Sequence, residues 1–109
     1  MKENKRVQLR LYPIGKSGGK RIWKLQYRIN PSELKWYQKI FNTWTTLNRY
    51  DQHANVWVRV IVWDDHDPEY ELNKFKKQYA TESDIKKWND SQKYLFDQYK
   101  YKHQHLIIY

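Results

Sequence analysis

One hundred and nine residues, 17% of them aromatic, describe a single domain whose core is built from a few large rings. Zero cysteines exclude a disulfide framework, a thiolate metal site and a cysteine nucleophile, and three glycines with three prolines exclude a linker or low-complexity chain. Twenty-one Lys and Arg against twelve Asp and Glu leave a net charge of +9, which points to a polyanionic partner without naming it. The charge is also uneven. Residues 1–62 hold thirteen basic and three acidic side chains (+10), and residues 63–109 hold eight and nine (−1).

Val7 to Tyr12 alternates, with Val7, Leu9 and Leu11 opposed to Gln8, Arg10 and Tyr12. Arg21 to Ile29 alternates as well, with Trp23, Leu25, Tyr27 and Ile29 opposed to Ile22, Lys24, Gln26 and Arg28. Period-two patterns of this kind predict half-buried strands, and residues 13–20 between them read as a turn-rich connector. The expected unit is a β-hairpin. Its outer face carries Arg10, Lys24 and Arg28, and its tip carries Lys16, Lys20 and Arg21.

Asn30-Pro31-Ser32-Glu33 has the form of a helix start, with a cap, a proline and an acid that can reach back. Leu34, Tyr37, Phe41 and Trp44 then follow helical spacing, so a helix is expected to about Asn42, where the threonines begin. A strand over Trp36 to Leu47 competes with it. Val56 to Trp63 is the strongest strand signal and reads as a central strand covered on both faces, with Arg59 seeking a partner or a wet edge. Asp67-Pro68 starts another helix with a stripe of Leu72, Phe75 and Tyr79. Thr81-Glu82-Ser83-Asp84 is a capping-box variant that opens a helix to about Lys100, with Ile85, Trp88, Leu95 and Tyr99 inward. Leu106 to Tyr109 reads as a short final strand. The expected fold is therefore α+β: a small antiparallel sheet packed against two or three helices.

Four motifs suggest chemistry. Gly15-Lys16-Ser17 resembles the end of a phosphate-binding loop, but Arg10 stands where the first glycine belongs and a strand follows instead of a helix. Asp64, Asp65, His66, Asp67 and Glu69 cluster at a strand end, as in metal-dependent nucleases, although a solvated turn beside a helix N-terminus explains them better. Glu33-Leu34-Lys35 has a nuclease-like E-x-K spacing without the strand that chemistry uses. His103 and His105 share a face if they lie on a strand, yet two imidazoles need a third ligand such as His53 or His66. No metal and no cofactor is expected.

The basic first half carries the leading expectation, a non-enzymatic nucleic-acid-binding protein of modest specificity. Arg10, Lys16, Lys20, Arg21, Lys24, Arg28, Lys35 and Lys39 would neutralise phosphates, and Tyr12 and Trp36 would stack on bases. Strand parity assigns Trp23 and Tyr27 to the core instead. The alternative is a structural or interaction subunit of a phage particle or similar assembly, since Trp, Tyr and Arg dominate interface hot spots. A metal-dependent nuclease is the third reading. Met1 to Arg10 lacks the apolar core of a signal peptide, and Val56 to Trp63 is too short to span a bilayer. A cytoplasmic location without a membrane partner is expected, or a virion if the chain is phage-encoded. Lysine- and asparagine-rich usage with little alanine fits the AT-rich genome of a bacterium or its phage.

Overall fold

The computed structural model describes residues 4–107, with side chains as far as Lys100. The architecture is α+β, with helices on one face of a small antiparallel sheet. Strand β1 (Val7–Ser17) pairs with β2 (Lys20–Ile29), and the hairpin is longer than the alternation suggests. Its loop is only Gly18-Gly19, at φ 59° and 81°, the double positive φ that a tight hairpin turn requires. The expected connector over residues 13–20 is otherwise strand. An extra residue between Pro13 and Gly15 is absorbed as a β-bulge, for which the φ of 131° at Gly15 suits glycine alone.

The inner edge of β2 is shared by two short strands. β3 (Thr45–Thr46) pairs at Gln26 and Tyr27, and β6 (Ile61–Trp63) pairs at Ile22 to Lys24. Between them Leu25 makes a three-way junction. Its N–H donates to the Val60 carbonyl, its carbonyl accepts from Leu47 N–H, and Val60 N–H donates to the Leu47 carbonyl. Beyond this junction β4 (Asn48–Asp51) and β5 (Val56–Arg59) leave the main sheet as a two-stranded ribbon.

The single central strand expected over Val56 to Trp63 is thus two strands, broken at Val60 where the chain exchanges β4 for β2 as its partner. Nor is β5 covered on both faces: Val56, Trp57 and Arg59 are exposed. Arg59 sits opposite Asn48 at a wet edge.

Helix α1 (Pro68–Gln78) begins as its sequence indicates, with the Asp67 carboxylate accepting from Tyr70 N–H at 3.4 Å. Helix α2 (Glu82–Ile107) opens on the capping box: Asp84 Oδ2 accepts from the N–H groups of Ala80 and Thr81, each at 3.1 Å, and Asp84 N–H donates to Thr81 Oγ1. The expected final strand is corrected here, because α2 continues through His103, His105, Leu106 and Ile107. Ile108 and Tyr109 lie outside the described residues.

The helix expected to follow Asn30 is not formed. Asn30 caps one 3₁₀ turn (Pro31–Glu33) by accepting from Ser32 N–H at 3.1 Å, and a second turn covers Lys39–Phe41. Glu33 does not reach back within a helix. Its carboxylate accepts from both the backbone N–H and the Nε of Arg6, which holds its pKa below the ordinary range. A helix here would also have little to bury: Ile40 and Phe41 are exposed, and most helical stability in proteins comes from packing one face.

The core lies between sheet and helices. Leu9, Leu25, Leu47, Tyr79 and Ile85 are buried together, with Leu72, Phe75 and Trp88 packed around them. A second aromatic cluster joins the ribbon to α2. Tyr50 meets Trp57, Phe96 and Tyr99 with ring centroids 5.3–6.0 Å apart, and its N–H donates to buried Gln92 Oε1 at 2.9 Å. Each such ring pair contributes about 0.5–1.5 kcal/mol beyond burial.

Candidate nucleic-acid interface

With Leu9 and Leu25 turned to the helices, alternation turns Gln8, Arg10, Tyr12, Lys24, Gln26 and Arg28 to the opposite face. The register aligns them in pairs: Gln8 opposite Arg28, Arg10 opposite Gln26, Tyr12 opposite Lys24. Thr46 stands beside Gln26 on the next strand, so Trp44, two residues earlier, joins the same face. Its ring lies 4.1 Å from the guanidinium carbon of Arg10 and 4.5 Å from that of Arg28. Arg10 and Lys24 in turn lie 5.0 and 5.5 Å from the Tyr12 ring. Cations and rings therefore alternate across the sheet. Each contact of this kind contributes about 0.5–1 kcal/mol at an exposed site.

The arginines are also fixed by glutamines. Arg10 Nε donates to Gln26 Oε1 and Arg28 Nε donates to Gln8 Oε1, both at 2.8 Å. Gln26 is buried and passes its own donor to Thr46 Oγ1 at 3.3 Å. Among the described residues, Arg10, Lys24 and Arg28 form no ion pair with a carboxylate. Their charges are held in place by neutral partners, so the positive field of this face is not cancelled locally.

The other candidate residues divide. Arg21 shares the parity of Trp23 in β2, and the bulge in β1 turns Lys16 to the same side, so the two face one another away from Lys24 and Arg28. Lys20 shares the parity of Lys24, but its Nζ lies 2.7 Å from Asp65 Oδ2. That pair raises the Lys20 pKa and, through the same hydrogen bond, lowers that of Asp65. Lys35, Trp36 and Lys39 are exposed on the segment between the two 3₁₀ turns and within the second.

Trp44 and Trp63 are additions that strand parity within the hairpin did not reveal. Trp63 pairs with Ile22 and is exposed on the polar face. Reading Trp44 to Thr46 as a strand would have exposed the signal, because alternation then sets Trp44 and Thr46 on one side.

The acidic segment Asp64–His66 forms a 3₁₀ turn whose Asp65 is engaged by Lys20. Among the described residues no three His, Asp or Glu side chains converge as a metal site requires. Gly15-Lys16-Ser17 lies within β1 and is followed by β2, so no helix N-terminus stands behind it for phosphate. Among the described residues no helix is long and apolar enough to cross a membrane.

Replacing Lys20 with methionine is expected to return the Asp65 pKa upward to the ordinary carboxylate range, as read by carboxyl-carbon NMR titration. In the wild type the depressed pKa contributes stability above the unfolded-state value, and that contribution is lost as pH falls through the folded-state value. Both side chains are at least half exposed, so the stability change is small. An unmoved Asp65 titration would show that the pair does not form in solution.

No protein-family model matches this chain, and neither a curated protein nor a solved structure is detectably similar to it. The functional reading therefore rests on the geometry of the sheet face.

Proposed function

We propose that this protein is a small, non-enzymatic nucleic-acid-binding protein of modest specificity that uses the polar face of its sheet. The observation that carries the reading is Trp44 held by Arg10 and Arg28, with Lys24 and Tyr12 continuing the alternation. Guanidinium and ammonium groups neutralise phosphates and release counterions, which gives affinity without sequence information. Tyr12, 45% exposed, offers a ring on which a base stacks. Lys16, Arg21, Lys35 and Lys39 add to the positive field from the hairpin tip and the segment after β2, while Lys20 contributes less because Asp65 holds it. Its place is the cytoplasm, or a virion if the chain is phage-encoded.

A second reading, a subunit of a larger assembly, draws on the shape. The radius of gyration is 16.8 Å, against about 13 Å for a spherical domain of this length.

Fluorescence anisotropy with labelled single-stranded DNA, duplex DNA and RNA at ~50 and ~200 mM salt tests the first reading. Binding at low salt is expected, weakening by about tenfold to a hundredfold at the higher salt for three or four phosphate contacts. No binding to any form at ~50 mM would overturn it and favour the assembly reading.

A further inference from the structure

We infer that residues 35–41 are a second contact element for the same ligand, and that this ligand is a single strand whose unpaired bases rest on Trp36 and Phe41. The inference depends on the nucleic-acid reading of the sheet face and adds the strand form and a second set of contacts. Four large apolar side chains are exposed within six residues: Trp36 at 77%, Tyr37 at 48%, Ile40 at 69% and Phe41 at 84%. None of them serves the core, and apolar exposure concentrated in this way marks a contact surface.

Charge identifies what covers it. Lys35 and Lys39 alternate with the rings, and no Asp or Glu occurs from Leu34 to Tyr50. Glu33, the nearest acid, is already occupied by Arg6. The partner is therefore anionic and also offers flat apolar surface. Duplex DNA presents phosphates outward and hides its base faces in the stack, so the rings would gain nothing from it. An unpaired strand exposes both phosphates and base faces.

Position makes the segment continuous with the sheet site. Asn42 clasps Ile29 from both sides, accepting from its N–H at 3.1 Å and donating to its carbonyl at 2.6 Å. Ile29 follows Arg28, and Asn42 precedes Trp44 by two residues, so the root of the segment is pinned where the cation and ring array ends. The rings are also held locally. Lys35 N–H donates to Gln38 Oε1 at 2.9 Å, and Trp36 meets Tyr37 edge-on at 5.8 Å.

The test compares wild type with W36A, F41A and the double variant. The probe is a labelled mixed-sequence 20-mer, as single-stranded DNA, as RNA and as duplex DNA. At ~200 mM salt, wild type is expected to bind at least one single-stranded form about tenfold more tightly than duplex. Each single substitution is expected to weaken that binding by about tenfold, with the dependence on salt unchanged because no cation is lost. The RNA and DNA arms distinguish the two sources of an unpaired strand. Wild-type affinity in the double variant, or equal affinity for duplex, would overturn the inference and leave the sheet-face reading intact. Failure of every form to bind even at ~50 mM salt would overturn both. Sedimentation velocity on the same samples supplies the last arm: a wild-type dimer that W36A/F41A dissociates would assign the rings to a second copy, against the proposal.

Discussion

Leu25→Ala is expected to lower the unfolding free energy by about 2–5 kcal/mol, the range for a fully buried leucine. Leu25 is 0% exposed and lies in a cluster with Leu9, Leu47, Tyr79 and Ile85. The value should fall in the upper part of that range, because the cost grows when a cavity cannot collapse. Here the surrounding backbone is tied by three hydrogen bonds among Leu25, Leu47 and Val60, which lock β2, the turn into the ribbon and the return from it. A domain of this length has about 5–15 kcal/mol in total, so the variant sits near the edge of folding. Urea unfolding reads the effect as a lower midpoint at unchanged slope. The comparison is Phe41→Ala, at 84% exposure expected within about 0.5 kcal/mol of wild type. Equal midpoints for the two variants would mean that the junction is not the centre of the fold.

What the sequence reveals depends on how local the governing interaction is. The strands Val7–Tyr12 and Arg21–Ile29 were legible because alternation is a property of neighbours. So were the starts of α1 and α2, where Asp67-Pro68 and Thr81 to Asp84 satisfy the first helical N–H groups by themselves. The segment after Asn30 misleads because its cap signal is real but serves a single turn. Its acid, Glu33, is bonded 27 residues away by Arg6, and Trp44 is taken by two arginines from the hairpin. The break at Val60 is invisible for the same reason, since every residue of Val56 to Trp63 except Arg59 favours strand and only the exchange of partners divides it. On the polar face of the sheet, parity grouped Arg10, Tyr12, Lys24 and Arg28 as the register does. It does not carry across the bulge: one extra residue in β1 turns Lys16 to the Trp23 side, where its partner Arg21 lies by its own parity in β2.

The paired reversal Arg10→Glu/Arg28→Glu is expected to weaken nucleic-acid binding by a hundredfold or more at ~50 mM salt. Two phosphate contacts become two repulsions. The slope of log affinity against log salt should fall by about two, one for each lost cation. Neither guanidinium can then rest on Trp44, so its packing changes as well, and thermal unfolding must establish that the double variant is still folded. The charge-conserving pair Arg10→Lys/Arg28→Lys separates the two contributions. It retains both charges and so the salt slope, but loses the Nε bonds to Gln26 and Gln8 and the planar contact with the indole. An intermediate loss of about fivefold to tenfold is expected from that pair. If the lysine pair instead binds as weakly as the glutamate pair, the guanidinium geometry around Trp44 outweighs charge in recognition. If the glutamate pair binds as wild type does while folded, the polar face of the sheet is not where the ligand rests.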